Sequence, residues 1–435
     1  MMEWQLTLFI YIIVLLGLLA SGVWIAFALA LTGCLGLLLH SGWSIFHNLG
    51  MINWNAANSF TLTAIPLFLF MGEIILKSGL SNEFYRGLSV VLYRLPGGLI
   101  HTNIMGCAIF SAISGSSVAT AAAIGTAAIP ELRKRGYDDR LSLGSLAAGG
   151  TLGILIPPSI VMIIYGDMVQ ESVAKLFIAG VLPGVILVAL FMAYIIFKVT
   201  RNRRLAPLER MHLARGEQLR LFLAGWPVMA LMVFILGGIY MGLTTPTEAA
   251  ALGASSAVII GLLLKKITWP IIKEALTSAV RVTVMILFIY QGAQVFSFAL
   301  VNAGVSRGLV AAVTQLNLPS SVFLIFVILL YLVLGCFIDG ISMMILTLPL
   351  LFPIITEMGF NPIWFGVIMT LLIEMGQITP PMGVNLFTIH GIAGGIPISE
   401  VVMACIPYWV MLLATVLLII LIPELAVWLP QFMLE

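Results

Sequence analysis

The sequence is poor in charge. Only 9% of its 435 residues are Asp, Glu, Lys or Arg, while 61% are hydrophobic, and the mean hydropathy is +1.15. A water-soluble chain of that size would lack the polar groups to cover its surface, so a soluble globular fold is excluded. Cysteine is scarce too: Cys34, Cys107, Cys336 and Cys405 are scattered, with no CxxC and no spacing of a disulfide framework. The net charge of +2 comes without a basic tract, which leaves no footprint for nucleic acid. There is no HExxH, no nucleophile elbow and no phosphate loop, and His101 and His390 have no second ligand at metal spacing. An intramembrane enzyme and nucleotide-driven pumping therefore lack support. The apolar runs do not alternate with polar residues, which excludes a membrane β-barrel.

What the chain has instead is apolar runs long enough to span a bilayer, such as Leu6 to Leu39, Leu176 to Phe197 and Val322 to Ile338. A crossing takes about 20 residues, so the fold class is an all-α polytopic membrane protein. The opening MMEWQLTLFIYIIVLLGLLA has no basic leader and no A-x-A site, and it reads as a retained first helix.

Punctuation recurs at one offset of 223 residues. Leu95-Pro96 matches Leu318-Pro319, Pro130 matches Pro353, Gly136-Tyr137 matches Gly359-Phe360, Gly153 matches Gly376, and Pro157-Pro158 matches Pro380-Pro381. Because Pro and Gly set backbone geometry directly, both halves are expected to make the same succession of helix, break and helix. Lys and Arg in short loops mark the cytoplasmic side. They cluster from Lys77 to Arg94, from Arg133 to Arg140, from Arg201 to Arg220 and from Lys265 to Arg281, and beyond Arg281 the only basic residue is Arg307. Both ends of segment 96–131 then face the cytoplasm, so it makes two short crossings or one re-entrant hairpin, with its tip near Ser114-Gly115-Ser116-Ser117. The matching loop at 356–361 carries no positive charge and is expected outside, so the second copy should sit upside down. Inverted repeats of this kind build secondary transporters, whose sites lie near the midplane where discontinuous helices meet.

The expected first repeat, 1–220, has scaffold helices 5–79, an arm 81–95, a hairpin 96–131, a broken helix 139–172, a helix 174–200 and a cytoplasmic linker 201–220. The second, 221–435, has scaffold helices 221–302, an arm 303–318, a hairpin 319–355, a broken helix 362–395 and a helix 400–430. The arms read either as interfacial helices holding a mobile unit or as ordinary connectors.

Irregular backbone survives in hydrocarbon only where protein or water satisfies it. Ser114, Gly115, Ser116 and Ser117 would build a turn offering hydroxyls, carbonyls and N–H groups, with the helix restarting at Val118 turning its positive end toward an anion. Ala119 to Ala128 read as small-residue packing. In the matching tip GCFIDGIS, Asp339 takes the place of Ser116, and no Lys or Arg shares its apolar segment. A mid-membrane carboxylate costs about 2.5–3.5 kcal/mol, so a bound cation or a helix N-cap is open to it. The breaks GILIPPSI and GQITPPMGVN would free backbone oxygens around Gly376, Ile378 and Thr379, of the kind that hold Na⁺ in transporters. Glu73, Asp167, Glu171, Glu248 and Glu374 read mainly as loop or packing groups, with Glu248 fitting a helix N-terminus.

In order along the chain, SGSSVATAAAIGTAAIPELRKRGYD, LGILIPPSI, LFIAGVLPG, TPTEAAALGA, GCFIDGISMMILTLPLLFPI and ITPPMGVNLF resemble the large, DctM-type membrane subunit of tripartite ATP-independent periplasmic (TRAP) transporters. The likeness covers nearly the whole chain. It implies an elevator-type ion-transporter fold and sodium-driven import of a small organic acid anion across the bacterial inner membrane. It also implies two partners, a small four-helix membrane subunit and a soluble periplasmic substrate-binding protein.

At least two Na⁺ sites follow from the resemblance. One falls on Gly335, Gly376, Thr379 and Met382 with Asp339 close by. The other, by the 223-residue offset, falls on Ser114, Ser116, Gly153, Ile156 and Ser159, although the offset pairs Ala112 with Gly335 and Ile156 with Thr379. The substrate is expected between the tips, near Ser116, Ser117, Thr120, Asp339 and Asn385, held by helix ends, hydroxyls and bound Na⁺ because the core has no basic residue. Family substrates include four-carbon dicarboxylates, sialic acid, other sugar acids and sulfonates. The alternative in the same class is a stand-alone Na⁺- or H⁺-coupled dicarboxylate or citrate carrier. A proton-conducting subunit of a respiratory complex would want mid-helix lysines that are absent, and paired breaks suit alternating access better than a channel.

Overall fold

The structure is a computed structural model describing residues 4–43, 47–207 and 215–433. Among the described residues all regular structure is helical. The chain opens with α1 (Trp4–Ala20), α2 (Ile25–Ser41), α3 (His47–Ala57) and α4 (Ala64–Lys77), the last two meeting at a 51° bend. The short α5 (Leu80–Leu92) leads to a helical pair, α6 (Leu99–Ser114) and α7 (Ser117–Lys134), then to α8 (Asp139–Leu155), α9 (Ile160–Val169) and the long α10 (Val173–Arg201). The second half starts with α11 (Arg215–Tyr240), α12 (Pro246–Leu263) and α13 (Trp269–Asn302). It continues through the short α14 (Val305–Gln315), the pair α15 (Ser320–Gly335) and α16 (Gly340–Glu357), then α17 (Pro362–Gln377), α18 (Val384–Ala393), α19 (Ile398–Leu421) and α20 (Glu424–Met433). From α5 and from α14 onward the order is the same. Within the expected linker, residues 208–214 lie outside the described part.

Local chemistry sets many of these boundaries, and it repeats at the 223-residue offset. Asp138 caps α8 by accepting from the Leu141 amide at 2.8 Å, and Asn361 caps α17 by accepting from Ile363 and Trp364 at 2.8 and 3.2 Å. Ser116 and Asp339 do the same for α7 and α16. At α12 a full capping box forms between Thr245 and Glu248, the role expected of Glu248. Both double-proline sites interrupt their helices: α8 stops at Leu155 and α17 at Gln377, and each break contains a cis Pro–Pro bond.

Among the described residues, seven helical stretches are long and apolar enough to cross a membrane, counting α8 and α9 together as one, or eight if α3 and α4 form one bent span. Large apolar side chains face outward, among them Phe9 of α1 and Val233, Phe234, Val284, Met403 and Leu421 on the long helices, an outer surface suited to lipid rather than water. With 16 residues each, α6 and α15 reach about 24 Å, short of the roughly 30 Å hydrocarbon core, as re-entrant legs would.

Small residues let the helices pack backbone to backbone. A Cβ on Gly33 of α2 would lie 2.9 Å from the Phe296 backbone of α13, and one on Gly292 would lie 2.3 Å from Ala26 O. The two short helices that precede the pairs are held by close contacts at their glycine backbones. α5 lies against α11, with Gly87 on Leu221 O and Gly225 on Phe84, while Gly308 of α14 sits under Trp4 of α1. The halves also interlock deeper in the protein, where α18 packs on α7 and α9 packs on α16.

Candidate functional site

Two tips meet two breaks. At the first tip, Gly115 adopts the left-handed conformation (φ 58°) that closes the turn between α6 and α7, one residue earlier than the expected restart at Val118. The Thr120 and Ser114 hydroxyls lie 2.6 Å apart, Ser114 Oγ donates to Ser116 O at 3.2 Å, and Ser116 Oγ accepts from the Ala119 amide. The tip rests on the first break. A Cβ on Gly153 would lie 2.9 Å from both Ser116 O and Ser117 Cα, and one on Gly115 would lie 3.1 Å from Pro158 O. Ser159, fully buried, caps α9 through the Met162 amide. Ser114, Ser116, Gly153 and Ser159 are thus gathered around one backbone junction whose ligating atoms would be oxygens, the set that suits a hard cation, while Ile156 ends α8 beside them with its side chain against Gly184 of α10.

The second tip is built differently. α15 ends at Gly335, and Cys336, Phe337 and Ile338 carry the chain to Asp339. Gly335 and Gly376 touch through their backbones: a Cβ on the first would be 2.6 Å from Gly376 Cα, and one on the second 2.9 Å from Gly335 Cα. Any larger residue at either place separates tip from break. Thr379 Oγ1 donates to Met375 O at 2.6 Å and accepts from Trp409 Nε1 at 3.1 Å. The break is tighter than a simple freeing of carbonyls, because Gly376 O accepts from the Thr379 amide (3.1 Å) and Thr379 O from the Gly383 amide (3.0 Å). The Ile378 amide turns back to Met375 O.

Asp339 is exposed and accepts from the Ser342 amide at 3.1 Å, which is the N-cap role. Met382 is 55% exposed. Gly335, Gly376 and Thr379 therefore come together tightly, with Asp339 and Met382 on their open side. The first junction is closed and the second is open to the surface.

A third convergence joins the halves. Asn385, in the first turn of α18, is fully buried and donates through Nδ2 to Ser117 Oγ at 2.6 Å and to Ala147 O at 3.3 Å. Its Oδ1 is buried without a partner. The N-termini of α7 and α18 thus meet at one point beside α8. Positive helix ends and unspent polar groups at a shared position are what an anion needs. Of the residues expected at a substrate site, Ser116, Ser117, Thr120 and Asn385 surround this point, whereas the Asp339 carboxylate is engaged at its own helix.

Two acidic residues taken for packing groups stand out. Asp167, near the end of α9, accepts from the hydroxyls of Ser59 and Tyr290 and so ties α9 to the first-half bend and to α13. It lines a polar cavity of about 610 Å³ with Asn55, Gln170, Gln294 and Ser297. Glu374 of α17 is fully buried with both carboxyl oxygens unpartnered. The only sequence signal for it was its place two residues before Gly376 in an apolar run.

Discontinuous helices meeting inside a bundle of membrane-spanning helices define the class of secondary transporters. The chain belongs to the family described as "Tripartite ATP-independent periplasmic transporter, DctM component", which it matches over residues 12–425. It is 35% identical over 412 residues to the C4-dicarboxylate TRAP transporter large permease protein DctM of Pseudomonas aeruginosa, covering 93% of this chain and 94% of that protein. It is 30% identical to the sialic acid TRAP transporter large permease protein SiaM of Vibrio cholerae, over 96% of this chain and 97% of that protein. With the isethionate TRAP transporter permease protein DctMQ of Oleidesulfovibrio alaskensis it shares 32% identity over 93% of this chain and 63% of that longer protein. Among solved structures, the crystal structure of the Alcanivorax borkumensis YdaH transporter shares the fold, with a TM-score of 0.59 at 17% identity over 90% of each chain. The protein is a multi-pass transporter subunit of the bacterial inner membrane, not an enzyme.

Proposed function

We propose that the chain is the transport subunit of a tripartite system that imports a small organic acid anion by sodium symport. In this reading a soluble periplasmic protein delivers the substrate and a small membrane subunit completes the permease, as the family's tripartite description suggests. The observation that carries it is the meeting of the α7 and α18 N-termini at Ser117 and Asn385, between two tip-and-break junctions whose donors are oxygens. Helix ends supply fixed positive partial charge without a basic side chain. Na⁺ at the junctions would supply the rest of the charge that offsets a carboxylate or sulfonate. As cargo, Na⁺ would be held by the backbone and hydroxyl of Gly335, Gly376, Thr379 and Met382 at one junction, and by Ser114, Ser116, Gly153, Ile156 and Ser159 at the other.

The interlocked halves support an elevator motion. The pairs and broken helices would move as one unit, held by α5 and α14 against α1 to α4 and α11 to α13. The curated relatives are named for C4-dicarboxylates, sialic acid and isethionate, and those names support a substrate here in the same range of small anions.

The deciding experiment is uptake into proteoliposomes holding all three components, with a sodium gradient imposed and then replaced by potassium. Uptake of a small organic acid only with inward sodium supports the reading. Sodium-independent uptake by the chain alone overturns it.

A further inference from the structure

Away from the two junctions, α5, α7 and α11 wall a cavity of about 530 Å³ on the side that Lys and Arg mark as cytoplasmic. Asn82 and Arg86 line it from α5, and Glu131, Lys134 and Arg135 from α7. Their charges are unequally spent. Arg135 is held by Glu131, with its Nε 2.7 Å from the carboxylate. Arg133, next in the chain to Lys134, is turned to Asp139 and to the Ala393 and Gly394 carbonyls. Glu83, the acidic residue of α5, is bridged to Lys266. Arg86 and Lys134 enter no ion pair among the described residues, so the cavity keeps their charge uncompensated.

The fold does not require those two cations. The second copy has a matching cavity of about 490 Å³ between α14 and α16. Each of the helices α5 and α14 follows a left-handed glycine, Gly79 or Gly304, and counted from that glycine Arg86 answers to Ala311. At the 223-residue offset Lys134 answers to Glu357, and the charged residues lining the second cavity are Arg307 and Glu357, which balance. Two like cavities thus differ in charge, and the basic one faces the leaflet whose surface potential is negative. Its wall is also apolar in part, through Leu99 and Leu221, and Val91 of α5 and Leu219 and Leu223 of α11 are exposed on the same helices.

We infer that this cavity binds the phosphate head group of an anionic phospholipid from the cytoplasmic leaflet. Arg86 and Lys134 donate to the phosphate oxygens, and the acyl chains run along the exposed apolar faces of α5 and α11. Basic pockets between membrane helices take such head groups, and charge-assisted bonds to phosphate are the strong ones. With one cation on each helix, the head group ties α5 to α7. Tyr85, buried in the cavity wall, carries the tie inward: its hydroxyl donates to Asn103 Oδ1 at 2.8 Å, and Asn103 Nδ2 donates to Ser145 Oγ of α8 at 2.9 Å. The inference needs neither sodium nor an organic acid and stands apart from the symport reading.

The test is the thermal midpoint of the full chain in detergent micelles doped with phosphatidylglycerol or phosphatidylethanolamine, or with inorganic phosphate in solution, at one ionic strength and without organic acid. A ligand that binds only the folded state raises the midpoint. Phosphatidylglycerol should raise it at the lowest mole fraction. Arg86→Gln and Lys134→Gln should each raise the half-saturating fraction about fivefold, and together about twenty-five-fold, the effect of one basic side chain each at a lipid surface. Glu131→Gln, which removes the one carboxylate lining the cavity, should lower it, a gain that no loss of folding can mimic. Lys273→Gln, on α13 and outside the cavity, should leave it unchanged. An unchanged half-saturating fraction in Arg86→Gln and Lys134→Gln, whatever their lipid-free midpoints, overturns the inference. So does equal weakening in Lys273→Gln, which would mark diffuse attraction to the surface. An equal response to phosphatidylethanolamine or to inorganic phosphate overturns the assignment to an anionic lipid.

Discussion

The tightest contact in the candidate site makes the sharpest prediction. A carbon added at Gly335 would lie 2.6 Å from Gly376 Cα, and one added at Gly376 would lie 2.9 Å from Gly335 Cα. Non-bonded carbons settle about 3.5–4.0 Å apart, so Gly335→Ala must drive the second tip away from its break by about 1 Å. Both obstructing atoms are backbone, so no side chain can rotate clear. Overpacking of this sort costs about 1–3 kcal/mol, and a shift of about 1 Å at a coordinating centre costs on the order of a hundredfold in function. Sodium-driven uptake by Gly335→Ala should therefore fall by about that factor, with a higher half-saturating sodium concentration and a smaller sodium-induced thermal shift. Gly391 of α18 is the control, since a carbon added there meets nothing within 4 Å. Gly391→Ala should transport normally and gain about 0.5–1 kcal/mol of stability, the usual helix-interior difference between Gly and Ala. Equal sodium responses in Gly335→Ala and the unmodified protein would refute the contact as a functional junction, and equal loss in Gly391→Ala would show that the assay reports helix chemistry in general.

Asn385→Ala removes the bond to Ser117 and exposes a buried hydroxyl to no partner, worth about 1–2 kcal/mol; the substrate KM should rise roughly tenfold while the sodium half-saturation moves far less. Asp167→Ala and Tyr290→Phe each break the tie between α9 and α13, and each should lower the thermal midpoint by an amount corresponding to about 1–3 kcal/mol. Because the two residues share one hydrogen bond, their double variant should fall short of the sum by at least about 0.5 kcal/mol. Thr245→Ala removes the capping box of α12 and should cost about 0.5–2 kcal/mol of stability with uptake per folded molecule unchanged.

Much of the candidate site was legible, because its parts are local. Gly115 at a tip, paired prolines at a break, and Ser116, Asp138, Asp339 and Asn361 as caps all act within three or four residues of themselves, and the structure puts each where its type suggests. Asp339 shows the limit of that reading. Its apolar segment left a bound cation or a helix N-cap open to it, and the structure shows the cap, with the carboxylate exposed at an open tip that nothing local in the sequence reveals. Glu374 and Asp167 were read as packing groups for the same reason: nothing near them in the sequence reveals what they face.

The sequence by itself determined that this is a membrane-spanning helical protein in two like halves, and where each half breaks, since solvent preference and backbone torsion are set residue by residue. Only the tertiary structure decided that Asn385 meets Ser117 across 268 residues, that Asp167 meets Tyr290 across 123, and that one tip is closed while the other is open. Those pairings depend on which small residues let which helices approach, and that is settled by the packing of all the helices at once rather than by any one of them.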